Sequence, residues 1–206
     1  MNAPLRERKS HIWAPHPEEW FVEPPWVSSR LFDVEDFTGG LLDPACGRGN
    51  ILDSADAHDL PALGYDIKAR CANVVFDFLS SDFPIEVAMP IVGEVRHIAS
   101  NPPFDLCRPF ALKALSIVGD GCKVAMIFPT RRLNAAGAWL RRTPLKRVLY
   151  LTPRPSMPPG EVYEALLAEG KKPSGGKQDF CWLVWQRGWM PTPTVEWLHR
   201  DKGARS

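Results

Sequence analysis

The sequence predicts an α/β fold, a doubly wound and mostly parallel sheet with helices on both faces and an antiparallel last strand. Three observations predict this class. Short apolar strands alternate with helical stretches along the chain of 206 residues. Three consecutive strands each end in an acidic residue. Residues 122–128 are apolar on both faces apart from Lys123, which is typical of a central parallel strand.

The elements follow in order along the chain. Residues 1–30 are rich in proline, tryptophan and charge, and we expect an irregular N-terminal arm there, followed by one domain at 31–190 and a C-terminal tail at 191–206. Asp105 is placed to cap a helix that tolerates Pro109 in its first turn. The predicted helices lie at 31–37, 50–58, 106–118 and 131–142, and the predicted strands at 40–43, 62–66, 73–77, 95–99, 122–128, 145–151 and 180–186.

Two features near the C-terminus complete this pattern. The last predicted strand, Phe-Cys-Trp-Leu-Val-Trp-Gln at 180–186, is aromatic and β-prone, and its two tryptophans are expected in the core. Residues 152–178 contain five prolines and four glycines between the last two predicted strands. Because a connection this long inside a compact domain is usually a functional or mobile loop, we expect one here.

The composition is that of a globular protein, with 45% hydrophobic and 24% charged residues. No apolar run is long enough to cross a bilayer, and the basic N-terminus lacks the apolar stretch of a secretion signal, so a cytoplasmic protein is expected. The five cysteines include no Cys-x-x-Cys pair, which argues against a metal or redox site. The net charge of +1 gives no global signal for nucleic acid, so any such signal must be local.

The acidic residues at the strand ends indicate one ligand site. Ligands of a doubly wound sheet bind outside the carboxyl ends of its strands, so Asp43, Asp66 and Asp77 should line one crevice with the SNPPFD segment at 100–105. The first turn, DPACGRGN, opens with an acid and has Leu52 in the third glycine position of a dinucleotide fingerprint. Such a turn disfavours a pyrophosphate and an NAD(P) enzyme. It suits a ligand with amine or cationic groups and no phosphates, and Asp66 lies about where the ribose-binding acid of a nucleotide fold is expected, so the ligand should carry a ribose.

The segments DPACGRGN, GYD, DFL and SNPPF, in this order, resemble the class I S-adenosylmethionine-dependent methyltransferases. More narrowly, they resemble the amino-methylating branch that includes DNA adenine-N6 methyltransferases, and within it the small phage and prophage enzymes. The resemblance covers roughly residues 20–190. It implies a Rossmann-like class I methyltransferase fold, S-adenosyl-L-methionine as the cofactor, and methyl transfer to the N6 amine of adenine in DNA.

The resemblance also implies roles for individual residues. Asp66 would bind the ribose hydroxyls, and Asp77 would accept from the adenine amine of the cofactor with Phe78 beside the ring. Residues 21–26 resemble an upstream cofactor motif that usually has threonine before proline, where this sequence has Glu23. The implied cofactor-binding residues are Trp20, Pro24, Asp43, Pro44, Ala45, Cys46, Gly47, Gly49, Asp66, Asp77, Phe78 and Asn101, and the implied catalytic residues are Asn101, Pro102, Pro103 and Phe104.

The NPPF segment fits the chemistry of amine methylation. The exocyclic amine of adenine is a poor nucleophile because its lone pair is delocalised into the ring. The side-chain oxygen of Asn101 and a backbone carbonyl of Pro102 or Pro103 can each accept one amine hydrogen, which turns the lone pair toward the methyl donor. Phe104 offers a ring on which an extruded base can stack, because an amine inside a duplex is out of reach.

A basic run at 131–147 is the local signal for nucleic acid, with six basic residues and no acid. Such a run is often a solvated face. Arg131 and Arg132 follow the carboxyl end of a strand, however, and are the candidate phosphate contacts to double-stranded DNA with a flipped target base. The target sequence would be read by the 152–178 loop or by a missing partner, because this length leaves no room for a separate recognition domain.

Alternative functions fit parts of the same pattern. Asp66 and Asp77 would, in the simplest alternative, only cap the segments that follow them. The same amine clamp would serve an RNA adenine methyltransferase or a protein glutamine methyltransferase. A cofactor-binding accessory subunit is the non-enzymatic alternative, and the intact Asn-Pro-Pro-Phe segment argues against it.

Overall fold

A computed structural model describes residues 13, 16–37, 39–70, 74–82 and 97–201 of the chain. Parts of the predicted arm, strands and tail, at 1–12, 14–15, 73, 95–96 and 202–206, lie outside the described residues. The strands are β1 (Leu41–Asp43), β2 (Ala62–Asp66), β3 (Val74–Val75), β4 (His97–Ser100), β5 (Lys123–Pro129), β6 (Leu145–Thr152), β7 (Phe180–Gln186) and β8 (Thr194–His199). The α-helices are α1 (Trp26–Val34), α2 (Asn50–Asp56), α3 (Cys107–Ile117), α4 (Leu133–Leu140) and α5 (Gly160–Ala168).

The strands of the described ranges form one sheet in the order β3-β2-β1-β4-β5-β7-β6-β8. The pairs β3–β2, β2–β1, β1–β4 and β4–β5 are all parallel, and β6 pairs with β8 in parallel. Strand β7 lies antiparallel between β5 and β6. The predicted doubly wound, mostly parallel sheet is therefore confirmed, and its antiparallel strand is the aromatic segment at 180–186.

Two elements differ from the prediction at the C-terminal side. The 152–178 segment is not one long loop, because nine residues free of proline form α5 between Pro159 and Gly170 (φ 68°). A further strand, β8, lies within 191–206 and adds an edge to the sheet beside β6. Its side chains are mostly exposed, so it lacks the buried face that would reveal a strand in the sequence.

Two helix starts also differ from the prediction. Helix α1 begins at Trp26 rather than at 31, because Val27 and Leu31 lie on one buried face of the same helix. Asp105 does not cap a helix: it lies in a 3₁₀ turn, Phe104–Leu106, ahead of α3, and its carboxylate accepts from Arg132.

The core lies on both faces of the sheet, and β7 joins its two halves. Trp182 and Trp185 are fully buried and belong to different apolar clusters, because side chains three positions apart point to opposite faces of a strand. The indole N–H of Trp182 donates to the Val27 carbonyl at 3.0 Å, and that of Trp185 donates to Thr143 Oγ1 at 2.8 Å. The expected core position of this pair is confirmed.

No helix in the described residues is long and apolar enough to cross a membrane. The same residues hold no group of three or more His, Cys, Asp or Glu side chains that could bind a metal ion.

Candidate active site

A cavity of about 530 Å³ lies at the carboxyl ends of β1, β2 and β4. The parallel order β2-β1-β4 brings the ends of these strands to one edge, so Asp43, Asp66 and Asn101 all line this cavity. Asp77 lines it too, although β3 ends two residues earlier, at Val75. The other predicted cofactor residues in its lining are Trp20, Pro44, Ala45, Cys46, Gly47 and Phe78, and the predicted catalytic residue Pro103 lies there as well.

Three predicted site residues, Gly49, Pro24 and Pro102, line neither this cavity nor the second cavity described below. Gly49 precedes α2 in the left-handed region (φ 94°), so it shapes the turn that carries Gly47. The Pro24 carbonyl accepts from the Val27 N–H at 3.0 Å and starts α1. Pro102 is buried beside Asn101. Gly49 and Pro24 therefore shape the backbone next to lining residues.

Asp43 is the most deeply buried acid of the cavity, with 1% of its surface exposed. Its Oδ1 accepts from Ser100 Oγ at 2.7 Å and from the Ala45 N–H at 3.1 Å. Burial, with smaller contributions from the nearby carboxyl groups of Glu23 and Asp66, raises the pKa of Asp43 to about 8. A cationic ligand in the cavity would favour the ionised form of this side chain.

Asp66 is held by the turn and by one cation. Its Oδ2 accepts from the Gly47 N–H at 2.8 Å, and its Oδ1 accepts from the Lys68 N–H at 2.9 Å and from Arg70 at 2.5 Å. The guanidinium of Arg70 also lies 4.3 Å from the ring centroid of Trp20. Ribose hydroxyls would therefore compete with Arg70 for Asp66.

Trp20 forms a wall of the cavity against two glycines. A Cβ atom at Gly47 would lie 2.9 Å from Trp20 Nε1, and one at Gly160 would lie 2.3 Å from the ring carbons. The Gly160 N–H donates to the Trp20 carbonyl at 3.0 Å. The indole thus packs directly on backbone from the first turn and from the start of α5.

The amide of Asn101 has one orientation. Its Nδ2 donates to the Phe21 carbonyl and to Glu23 Oε2, both at 2.8 Å. A carbonyl and a carboxylate are both acceptors, so the amide nitrogen must face them. Its Oδ1 is buried and has no hydrogen-bond partner within the described residues. An unsatisfied acceptor therefore lies at the wall of the cavity.

A second cavity of about 850 Å³ lies on the other side of Phe21. Phe21 lines both cavities, and its ring stacks on that of Phe104 at 5.9 Å between centroids, with 7° between the planes. Phe104 is mostly buried and also packs on Phe180. The ring face predicted to receive a base is therefore partly covered by Phe21, which sequence reasoning missed.

The two predicted phosphate contacts, Arg131 and Arg132, both line the second cavity. Arg132 is paired with Asp105 at 2.5 Å and lies 3.8 Å from Glu19. Arg131 is exposed at the rim. The positive charge offered to a ligand there comes chiefly from Arg131 and the exposed Lys177.

Sequence reasoning also missed two residues that hydrogen-bond to side chains of the first cavity. Glu23 was noted only as a departure from a motif, and the structure makes it the partner of Asn101. Ser100 carried no signal beyond its place before Asn101, and it donates to Asp43.

The described fold can be compared with solved structures. The M protein of the type I restriction enzyme EcoKI matches with a TM-score of 0.56 at 16% identity, over 89% of this chain and 49% of that one. A modification subunit of a proposed type I restriction enzyme from Vibrio vulnificus YJ016 matches with a TM-score of 0.52 at 16% identity, over 90% of this chain and 48% of that one. A proposed class I S-adenosylmethionine-dependent methyltransferase from Listeria monocytogenes matches with a TM-score of 0.50 at 13% identity, over 85% of this chain and 63% of that one.

These likenesses show a class I methyltransferase fold. The chain spans about half the length of the two restriction-enzyme subunits. No protein-family model matches the sequence. No curated protein matches it either.

The first cavity fits the cofactor that this fold implies. S-Adenosylmethionine carries a sulfonium and an ammonium group, and the buried Asp43 and the carboxylate of Asp66 line the cavity. Its volume lies in the range of small-molecule sites. The apolar side chains of Phe76, Leu79 and Phe110 lie on the Asp77 side, where an adenine ring could pack.

Proposed function

We propose that this chain is an S-adenosylmethionine-dependent methyltransferase whose acceptor is the N6 amine of adenine in DNA. The observation that carries the proposal is the buried Asn101 Oδ1, which faces no partner within the described residues. A buried acceptor without a partner costs free energy. An amine hydrogen of the acceptor substrate would satisfy it beside a cavity that suits a cationic cofactor.

The residues of the NPPF segment would align the amine. Asn101 Oδ1 accepts one amine hydrogen, and a backbone carbonyl accepts the other. The Pro103 carbonyl already accepts from the Leu106 N–H at 2.9 Å, so the Pro102 carbonyl is the better candidate. This arrangement makes the nitrogen pyramidal and directs its lone pair at the methyl donor.

Methyl transfer then needs little further help from the protein. S-Adenosylmethionine held in the first cavity would supply an electrophilic methyl group, and its sulfur would keep the electron pair of the broken sulfur–carbon bond. The aligned nitrogen would lose one proton to solvent after the transfer, so no strong base is required beforehand. An extruded base whose amine reaches Asn101 in the first cavity would meet the ring of Phe21, which lines both cavities and stacks on Phe104.

Two observations favour DNA as the substrate. Two solved structures that this chain resembles in fold belong to type I restriction enzymes, whose modification subunits modify DNA. Arg131 and Lys177 lie exposed at the rim of the second cavity, where phosphates could bind. The narrower likeness to small phage and prophage adenine-N6 enzymes, and a partner that reads the target sequence, are part of this proposal.

The test incubates the full chain with methyl-labelled S-adenosylmethionine and unmethylated genomic DNA, and then analyses the digested nucleosides. We expect label in N6-methyladenine. Asn101→Ala should reduce transfer by about 100-fold or more, because it removes one of two oriented acceptors. It should still bind S-adenosylmethionine in a thermal-shift assay.

The other outcomes separate the parts of the proposal. Cofactor binding without label in DNA would contradict the DNA acceptor, and label in RNA or in a glutamine-containing peptide would replace it. Equal transfer by wild type and Asn101→Ala would contradict the amine clamp. Failure to bind S-adenosylmethionine would contradict the methyltransferase assignment itself.

A further inference from the structure

We infer that Glu23 is a positioning residue, which holds the amide of Asn101 with its oxygen toward the acceptor amine. The inference rests on the proposed function and extends it to a residue outside the NPPF segment. Glu23 comes from the segment before α1, whereas Asn101 follows β4, and the two side chains meet 78 positions apart in the chain.

The geometry fixes the amide in one of its two orientations. Glu23 Oε2 and the Phe21 carbonyl both accept from Asn101 Nδ2 at 2.8 Å. A rotation of the amide by half a turn would place Oδ1 against these two acceptors, which repel it. Glu23 Oε2 and the Phe21 carbonyl together set this preference, and only Glu23 supplies its part from a side chain that can be substituted.

The position of Glu23 is fixed from two sides. Its carbonyl accepts from Asn50 Nδ2 at 2.6 Å, so α2 holds its backbone. The preceding residue, Val22, donates its N–H to the Pro158 carbonyl at 2.9 Å. The backbone of Glu23 is therefore held independently of Asn101, so its carboxyl group is available to position the amide.

Burial of this carboxyl group works against stability. Glu23 is 6% exposed, and burial raises its pKa to about 7. The carboxyl group of Glu23 also raises the pKa of the nearby Asp43, so these two acids repel one another. An apolar side chain at this position would avoid that cost. A role limited to the fold does not account for a buried acid here, whereas orientation of Asn101 does.

The test compares two substitutions of Glu23 in the full chain. Glu23→Gln keeps an acceptor oxygen for Asn101, so kcat for methyl transfer should stay within about fivefold of wild type. Glu23→Leu removes the acceptor, so kcat should fall by about 100-fold while the cofactor KM stays within about twofold. The melting temperature of Glu23→Leu should equal or exceed that of wild type, which a merely structural role would not produce. Glu35→Gln is the matched control, because Glu35 is equally buried and lies away from both cavities.

A second measurement does not depend on activity. The side-chain NH₂ signals of Asn101, identified by their loss in Asn101→Asp, should exchange slowly with solvent in wild type and in Glu23→Gln. They should exchange at least about tenfold faster in Glu23→Leu. If wild type transfers no methyl group, the proposed function fails while this measurement still tests Glu23. Unchanged exchange in Glu23→Leu, or a kcat equal to that of wild type, would overturn the inference.

Discussion

At the scale of single residues, Asp43 is where burial and charge oppose each other most directly. Ser100 Oγ and the Ala45 N–H both donate to the same oxygen of Asp43, and they only partly offset the burial that raises its pKa to about 8. Burial also raises the pKa of Glu23, to about 7. Before a cation binds, the cavity therefore favours protonated acids.

This leads to a prediction for stability against pH. An acid whose pKa is higher in the folded than in the unfolded protein stabilises the fold fully below its unfolded pKa, and that contribution is lost as the pH rises through the folded pKa. For Asp43 the window runs from 3.8 to about 8. The free energy of unfolding should fall across it by up to about 1.4 kcal/mol per pH unit for each such acid. Asp43→Asn should make this slope shallower in urea unfolding at about pH 5 and about pH 8.

The control for this prediction is again Glu35→Gln. Burial raises the pKa of Glu35, but hydrogen bonds from Lys123 and Arg147 outweigh that effect and lower it overall. An acid whose pKa is lowered by folding loses its contribution to stability only as the pH falls through its folded pKa. Glu35→Gln should therefore change the free energy of unfolding equally at the two pH values. An Asp43→Asn protein with the full wild-type slope would contradict the assignment.

The residue scale also shows which site residues a sequence can reveal. Asp43, Asp66 and Asn101 could be predicted together, because each stands at or just after the end of a parallel strand and such ends converge. Glu23 and Ser100 could not. Their partners lie 78 and 57 positions away, and no local periodicity encodes a contact at that distance.

At the scale of elements, the segment before α1 joins the two cavities. Phe21 and Glu19 line both of them, and the Glu19 carboxylate accepts from the Asp105 N–H at 2.8 Å. The segment is tied to α5 through Gly160 and Trp20. The irregular arm expected at 1–30 therefore includes structural parts of the candidate site.

The contact between Gly160 and Trp20 can be tested by one methyl group. A Cβ at Gly160 would lie 2.3 Å from the Trp20 ring, so Gly160→Ala must displace the indole or α5. We expect a loss of about 1–3 kcal/mol in the free energy of unfolding. Weaker S-adenosylmethionine binding in a thermal-shift titration should accompany it, because Trp20 lines the first cavity.

Gly137→Ala is the matched control for that change. Gly137 lies inside α4, and a Cβ there would meet nothing within 4 Å. Alanine favours helix over glycine, so this variant should be as stable as wild type or more stable by up to about 1 kcal/mol. Equal stability of both alanine variants would mean that Trp20 has room to move.

The elements also differ in how well the sequence predicts them. The predicted bounds of β2 and β7 agree with the structure to the residue, because β2 is a short apolar run that follows Pro61 and ends in Asp66, and β7 is an aromatic and apolar run that follows Asp179. Helix α5 and strand β8 were missed. The prolines and glycines around α5 hid nine helix-compatible residues, and β8 is largely exposed, so hydrophobic periodicity was a poor guide to either.

At the scale of the whole molecule, the basic run at 131–147 is divided between two edges of the sheet. Arg131 and Arg132 follow β5 at the edge that carries both cavities. Arg141 and Arg142 follow α4 and precede β6, whose start pairs with the end of the antiparallel β7 at the opposite edge. With a net charge of +1, the chain can attract a polyanion only locally, and only the first pair of arginines lies near the candidate site.

This division predicts unequal effects of two arginine substitutions on DNA binding. Arg131→Ala should weaken binding to duplexes of different sequence to a similar degree, and should reduce the slope of log K against log salt by about one, because it removes one phosphate contact. Arg141→Ala removes the same charge from the same run, but at the far edge, so its slope should equal that of wild type. Fluorescence anisotropy across a salt titration measures both. Equal losses in the two variants would mean that the run acts as a diffuse charge, and no loss in Arg131→Ala would remove this rim from the path of the DNA.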